Sequence, residues 1–256
     1  MKWWGLILGA LVVASAGLLN GGPAGAQTGQ TDQAAQTGTP TPPAAAPAPL
    51  KAAGGGAVKS IDQQVQDVLK TCAGCHGVGA ANTTPTRPDI AGQKAEYIRR
   101  QLWAFKGQAA QSRKNSVMQH TLSNVPENLF APLARKIAQL SCVGEPAKGP
   151  LAAAKKPPLK EPLPRPQAAG TCAVCHGANG IGVQQQVPNL AGQKRAYLRR
   201  QLLLIREAAW GALPREGEAW RKHPILAERI ARFKISDIDA LAGYYASLDC
   251  RGDILK

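Results

Sequence analysis

Residues Thr71-Cys72-Ala73-Gly74-Cys75-His76-Gly77 return one hundred positions later as Thr171-Cys172-Ala173-Val174-Cys175-His176-Gly177. Cys-x-x-Cys-His is the attachment pattern of c-type haem. Two cysteines three apart project from one side of a helical turn, so both thiols can form thioethers to the vinyl groups of one haem. The His that follows sits under the ring and supplies the proximal imidazole. A thiol–disulfide motif or half a zinc site also begins with Cys-x-x-Cys. Two copies with matching flanks argue against both, and zinc needs further Cys or His at ligand spacing. The chain has four His, and none makes a His-x₃₋₅-His pair. Cys72, Cys75 and His76 are therefore expected to hold one covalent haem, and Cys172, Cys175 and His176 a second.

The repeat extends beyond the motif and decides the architecture. Ile90-Ala-Gly-Gln-Lys-Ala-Glu-Tyr-Ile-Arg-Arg-Gln-Leu102 matches Leu190-Ala-Gly-Gln-Lys-Arg-Ala-Tyr-Leu-Arg-Arg-Gln-Leu202. Two domains are expected, over 61–143 and 168–252. A Pro/Lys/Ala-rich linker over 144–167 has no helical or strand pattern and reads as a semi-rigid connector. Domains this small need a covalent haem to fill much of their interior. The periodicity inside each copy is helical. Ile61–Lys70 runs into the first motif, and Tyr97, Ile98, Gln101, Leu102 and Phe105 form one face of a helix starting near Lys94. Ser236-Asp-Ile-Asp239 resembles a capping box opening a last helix, with Leu241, Tyr244, Tyr245 and Leu248 inward. No alternating strand pattern competes, so the fold class is all-α.

Ahead of the repeat, Met1-Lys2 precedes an apolar run from Trp3 to Leu19 and then Ala24-Gly25-Ala26. A charged start, a hydrophobic core and a small-x-small site read as a signal peptide over 1–26, cleaved after Ala26. The run is shorter than the ~20 residues a membrane span needs. An uncleaved anchor, giving peripheral membrane association, is the alternative. Residues 27–60, rich in Gln, Thr, Pro, Ala and Gly, read as a disordered leader.

These residues resemble the class I cytochrome c pattern, and two such domains in one exported chain are similar to the diheme cytochrome c4 group. Pro88-Asp-Ile-Ala-Gly-Gln93 and Pro188-Asn-Leu-Ala-Gly-Gln193 match that group's segment after the haem motif. Tyr97, Gln101-Leu102, Phe105-Lys-Gly107, Arg113 and Met118 match the stretch leading to its distal ligand. The resemblance covers nearly all of 61–252. It implies a periplasmic carrier passing electrons from a quinol-oxidising complex or dehydrogenase to a terminal oxidase. It further implies that the carbonyls of Pro88 and Pro188 accept the Nδ1 protons of His76 and His176.

The distal ligands distinguish the two halves. Met118 stands at the group's ligand position and, Met1 apart, is the chain's only methionine. His120 is its competitor. The second half has no Met. The offset of one hundred holds to Leu202, whereas Cys142 and Cys250 are 108 apart, so eight residues are inserted, and the insertion is expected to fall where the distal ligand belongs. At the two offsets Met118 maps to Glu218 or Leu226. His223, in Trp220-Arg-Lys-His-Pro-Ile, is the candidate second distal ligand. An open or water-bound iron and Lys222 are the alternatives.

Cys142 and Cys250 are left after the haem cysteines are used. They either pair, as an exported protein favours, or stand as separate buried thiols. Trp210 and Trp220 in the insertion cover a haem edge or pack into a small core of their own. The net charge is +15. No nucleic-acid fold signature accompanies it, so salt-sensitive docking onto acidic redox partners is the preferred reading. Two functions remain: an electron carrier, or a diheme enzyme of peroxidase or thiosulfate-oxidising type with the second haem as its active site. Beyond Arg215, Glu216 and Glu218 no acid–base constellation supports the enzyme.

Overall fold

The structure, a computed structural model, describes residues 58–77, 82, 84–107, 113–143, 161–213 and 217–252. The expected signal peptide, the leader as far as 57 and residues 144–160 of the linker lie outside this set. Among the described residues there are eight α-helices, and no helix is long and apolar enough to cross a membrane.

The first half holds α1 (Ile61–His76), α2 (Ala95–Phe105), α3 (Ser116–Ser123) and α4 (Phe130–Ala138). Helix α1 starts with a capping box. The Ser60 hydroxyl accepts from the Gln63 N–H at 3.2 Å, and the Gln63 side chain accepts from the Ser60 N–H at 2.8 Å. This satisfies two amide donors left over at the helix start. Helix α4 packs across α1 and α2. Leu102, Phe105, Leu122, Leu129, Phe130, Leu133 and Ile137 form the core, with Val65 from α1 and the half-buried Met118 at its margin. Trp103 meets Phe130 edge-on with ring centroids 5.0 Å apart.

The second half repeats this plan with α5 (Ala169–His176), α6 (Arg195–Ala209), α7 (Pro224–Ala231) and α8 (Ile235–Ser247). Its core is built from Ala169, Leu198, Leu241, Ala242, Tyr244 and Tyr245. Helix α8 starts earlier than the sequence suggests. Its N-cap is Lys234 rather than Ser236, because Asp237 folds back to accept the Lys234 N–H at 2.9 Å. The end of the expected linker is packed: the Leu163 N–H donates to the Ser247 Oγ at 2.8 Å, against α8.

The halves meet in a seam related by an approximate twofold. Strand β1 (Arg113–Lys114) pairs antiparallel with β2 (Trp220–Arg221), with Arg113 opposite Arg221. The repeated Ala-Gly-Gln-Lys segments supply the rest. Gln93 donates to the Asn189 carbonyl and accepts the Asn189 N–H, both at 2.9 Å. Gln193 does the same to Asp89, at 2.8 and 3.0 Å. Lys94 donates to the Gly182 carbonyl, and Lys194 to the Asn82 carbonyl at 2.6 Å. The seam is closed by a Cys142–Cys250 disulfide, which settles the pairing question. Gly92 and Gly192 lie directly under it with φ of +69° and +68°. A Cβ on Gly192 would fall 2.7 Å from the Cys250 Cβ, so only glycine allows this approach.

Candidate haem centres

Each attachment motif forms the last turns of a helix, so its two thiols and its imidazole leave from adjacent turns. Gly77 and Gly177 end these helices at φ of +75° and +72°. None of the four motif cysteines is tied up in a disulfide, and burial pushes the thiols of Cys72 and Cys172 above the ordinary range. His76 Nδ1 donates to the Pro88 carbonyl at 2.9 Å, and His176 Nδ1 to the Pro188 carbonyl at 3.0 Å. Because a carbonyl can only accept, these bonds place the proton on Nδ1 and leave Nε2 as the metal-facing lone pair. Burial also lowers both imidazoles from their ordinary pKa, keeping them neutral and able to ligate. Two thiols beside one oriented, neutral imidazole are the donor set that haem c requires, and the set occurs in both halves.

The distal segments follow the same order, a two-residue strand and then a side-chain-capped helix. Asn115 caps α3 by accepting the Met118 N–H at 3.0 Å. His223 caps α7 by accepting the Leu226 N–H on Nδ1 at 3.3 Å. Met118 and Leu226 thus hold the same position in their helices, three residues after the caps Asn115 and His223. This corrects the expected place of the insertion. Helix α6 has 15 residues against 11 in α2, and the remaining extra residues lie between Gly211 and Trp220, upstream of the distal segment. Trp210 is 61% exposed and carries Arg206 over its face at 4.6 Å, while Trp220 Nε1 donates to the Ala212 carbonyl at 3.1 Å. Both tryptophans therefore organise the insertion itself. His223 is half-buried and interacts electrostatically with His176; burial, followed by the charge of Arg221, lowers its pKa to about 4. His120 and Lys222 are exposed.

Sequence reasoning missed Arg221, which is buried in the seam, and missed the cross-half role of Gln93 and Gln193. The signal was present for the glutamines: an identical Ala-Gly-Gln-Lys in both copies with no haem chemistry of its own.

The cytochrome c family profile matches residues 167–249. The thiosulfate dehydrogenase electron acceptor of Stutzerimonas stutzeri (strain A1501) is 31% identical over 194 residues, covering 69% of this chain and 78% of that protein. Cytochrome c4 of Stutzerimonas stutzeri is 28% identical over 191 residues, covering 72% and 87%. The chain belongs to the diheme cytochrome c4 family. The crystal structure of reduced recombinant cytochrome c4 from Pseudomonas stutzeri shares the fold, with a TM-score of 0.52 at 23% identity over 75% of this chain and all of that one. The fold is thus two tandem class I cytochrome c domains, the cofactor is covalently bound haem c, and the function is electron transfer.

Proposed function

We propose that this cytochrome is an exported, periplasmic carrier with one haem in each half. His76 and Met118 ligate the first iron, and His176 and His223 the second. Haem c supplies one-electron exchange between ferric and ferrous iron. The observation that carries the reading is the duplicated donor set, with each His Nδ1 tied to a Pro carbonyl twelve residues on. Residues 61–143 and 168–252 are the two haem domains, and cleavage after Ala26 releases the mature chain to the periplasm. As a distal ligand His223 must move its proton to Nδ1 and give up its cap on α7. A cap is worth about 1 kcal/mol, and Pro224 at the first helical position lets α7 start without it. A Met donor raises an iron potential and a second imidazole lowers it. The chain thereby sets a direction for electrons, from the second half to the first. The donors suggested by the relatives are dehydrogenases, thiosulfate dehydrogenase among them, and the acceptor is a terminal oxidase or another acidic partner protein.

The intact mass of the exported protein tests the count: it should exceed the processed polypeptide by two haems, and one or none would overturn the reading. A second reading, a diheme enzyme with an open second iron, is favoured by Leu226 standing where the first half has Met118. A second haem that is high-spin as purified and takes up cyanide or peroxide readily would put the enzyme ahead of the carrier.

A further inference from the structure

Helix α6 outruns α2 and ends in a turn that the first half lacks. The turn carries Trp210, 61% exposed, and Leu213, 82% exposed. Among the described residues Trp210 is the one exposed aromatic side chain. It is nevertheless held in place. Arg206 lies over its ring at 4.6 Å, and Arg206 Nη1 donates to the Phe233 carbonyl at 3.2 Å. Among the described residues the Arg206 Nε–H is buried without an acceptor, so the stack is kept at the expense of a hydrogen bond. Trp220 Nε1 donates to the Ala212 carbonyl at 3.1 Å and ties down the turn between Trp210 and Leu213. A large apolar group that is fixed in place yet left mostly in water adds little to its own fold, and this is the form of an interface anchor. The surroundings select the occupant. Arg206 sits between Trp210 and Phe233, so Arg232 and Lys234, which flank Phe233 and are exposed, lie beside the knob. Helix α6 itself carries four arginines against one glutamate. This basic rim, on a chain of net charge +15, repels a second copy and favours an acidic surface. A lipid surface asks for apolar area but for no fixed ring, and two side chains offer little area. A rigid Trp loses little freedom on entering a shaped pocket, and a protein surface supplies one.

We propose that Trp210 and Leu213 are the anchor by which the second half docks the electron donor, a protein whose acidic surface holds an apolar pocket. Val117 and Ile225 are exposed alike, at the second position of α3 and of α7, so they do not distinguish the halves. The knob does. Electrons enter at the second half in the reading above, on which this rests, so the partner that meets the knob is the donor. Neither residue ligates iron or carries electrons; both position the partner.

Two rates test this on the full-length exported protein. Reduction of the ferric protein would be followed under nitrogen with the periplasmic fraction and with quinol-supplied washed membranes of the native host. Oxidation of the ferrous protein would be followed with washed membranes in air. Trp210→Ser and Leu213→Ser are each expected to slow reduction about tenfold or more at unchanged haem content, and to leave oxidation at the wild-type rate. Arg232→Glu with Lys234→Glu should slow reduction and flatten its dependence on salt. If Trp210→Ser disturbs the turn, Leu213→Ser carries the test, because that side chain is the more exposed of the two. Wild-type reduction in Leu213→Ser, or a loss of oxidation in place of reduction, would overturn the proposal. So would binding of the wild type to phosphatidylglycerol vesicles that Leu213→Ser abolishes, or a dimer in sedimentation that it dissolves. Those two results would assign the knob to lipid or to a second copy. A wild-type protein that neither fraction reduces would instead overturn the carrier reading, and the proposal with it.

Discussion

Single residues carry the difference between the two haem sites. Met118→Ala should abolish the weak sulfur-to-iron band at the red end of the oxidised spectrum, and His223→Ala should turn a low-spin second haem high-spin. The pH behaviour of His223 follows from its surroundings. Its pKa is lowered to about 4 by burial and then by Arg221, so the neutral form is held from pH 7 down to that value. On acidification the low-spin signature of the second haem should persist well below pH 6.5, because iron competes with the proton for an imidazole that its surroundings already hold neutral. Its loss nearer pH 6.5 would show that burial and Arg221 do not hold the imidazole neutral. Gly192 is the most exacting backbone position. Gly192→Ala imposes a left-handed φ on a residue with a Cβ and pushes that Cβ against Cys250. A loss of about 1–3 kcal/mol is expected in denaturant unfolding; a neutral substitution would mean that the disulfide loop gives way freely.

At the scale of elements, the informative units are the short ones. Helices α1 and α2 and, through the repeat, α6 were legible from apolar spacing because an amphipathic stripe is a local property. The start of α8 was misread by two residues because Lys234 and Ser236 both precede an acidic residue at a workable distance, and only the packed backbone shows that Asp237 reaches Lys234. Strands β1 and β2 have two residues each and exist only because each half presents the other with an edge. The Gln93 and Gln193 pairs do the same work with side chains. Gln93→Ala would remove both bonds to the Asn189 backbone in the seam, and Gln193→Ala both bonds to the Asp89 backbone. At about 1–3 kcal/mol per stranded polar group, each substitution should lower the thermal midpoint clearly, and the two costs should be similar if the seam is as symmetric as its bonds. An unchanged midpoint would mean that water replaces the amide.

At the scale of the whole molecule, the disulfide turns two haem domains into one covalent body. It joins residues separated by 108 positions. For a loop of roughly a hundred residues the chain-entropy account gives about 4–5 kcal/mol. Cys142→Ser with Cys250→Ser should therefore lower the unfolding midpoint in denaturant without changing the haem count. After an engineered cut between 144 and 160, the wild-type halves should stay joined on a non-reducing gel and separate only with a thiol reductant. Separation without reductant would rule out the bridge.

By itself the sequence determined what depends on spacing along the chain: two attachment motifs, two histidines each with a proline twelve residues on, a helical fold and the repeat. Thioether chemistry and helical periodicity act over a few residues, so they are written where they act. It also marked Met118 as without a counterpart, but it could not place the eight extra residues, because two offsets fitted equally well until the caps at Asn115 and His223 brought Leu226 onto Met118. Tertiary structure alone decided the Cys142–Cys250 bridge, the seam of glutamines and lysines, and the meeting of Arg113 with Arg221. Each joins residues about a hundred positions apart, and their free energies exist only when one half folds against the other.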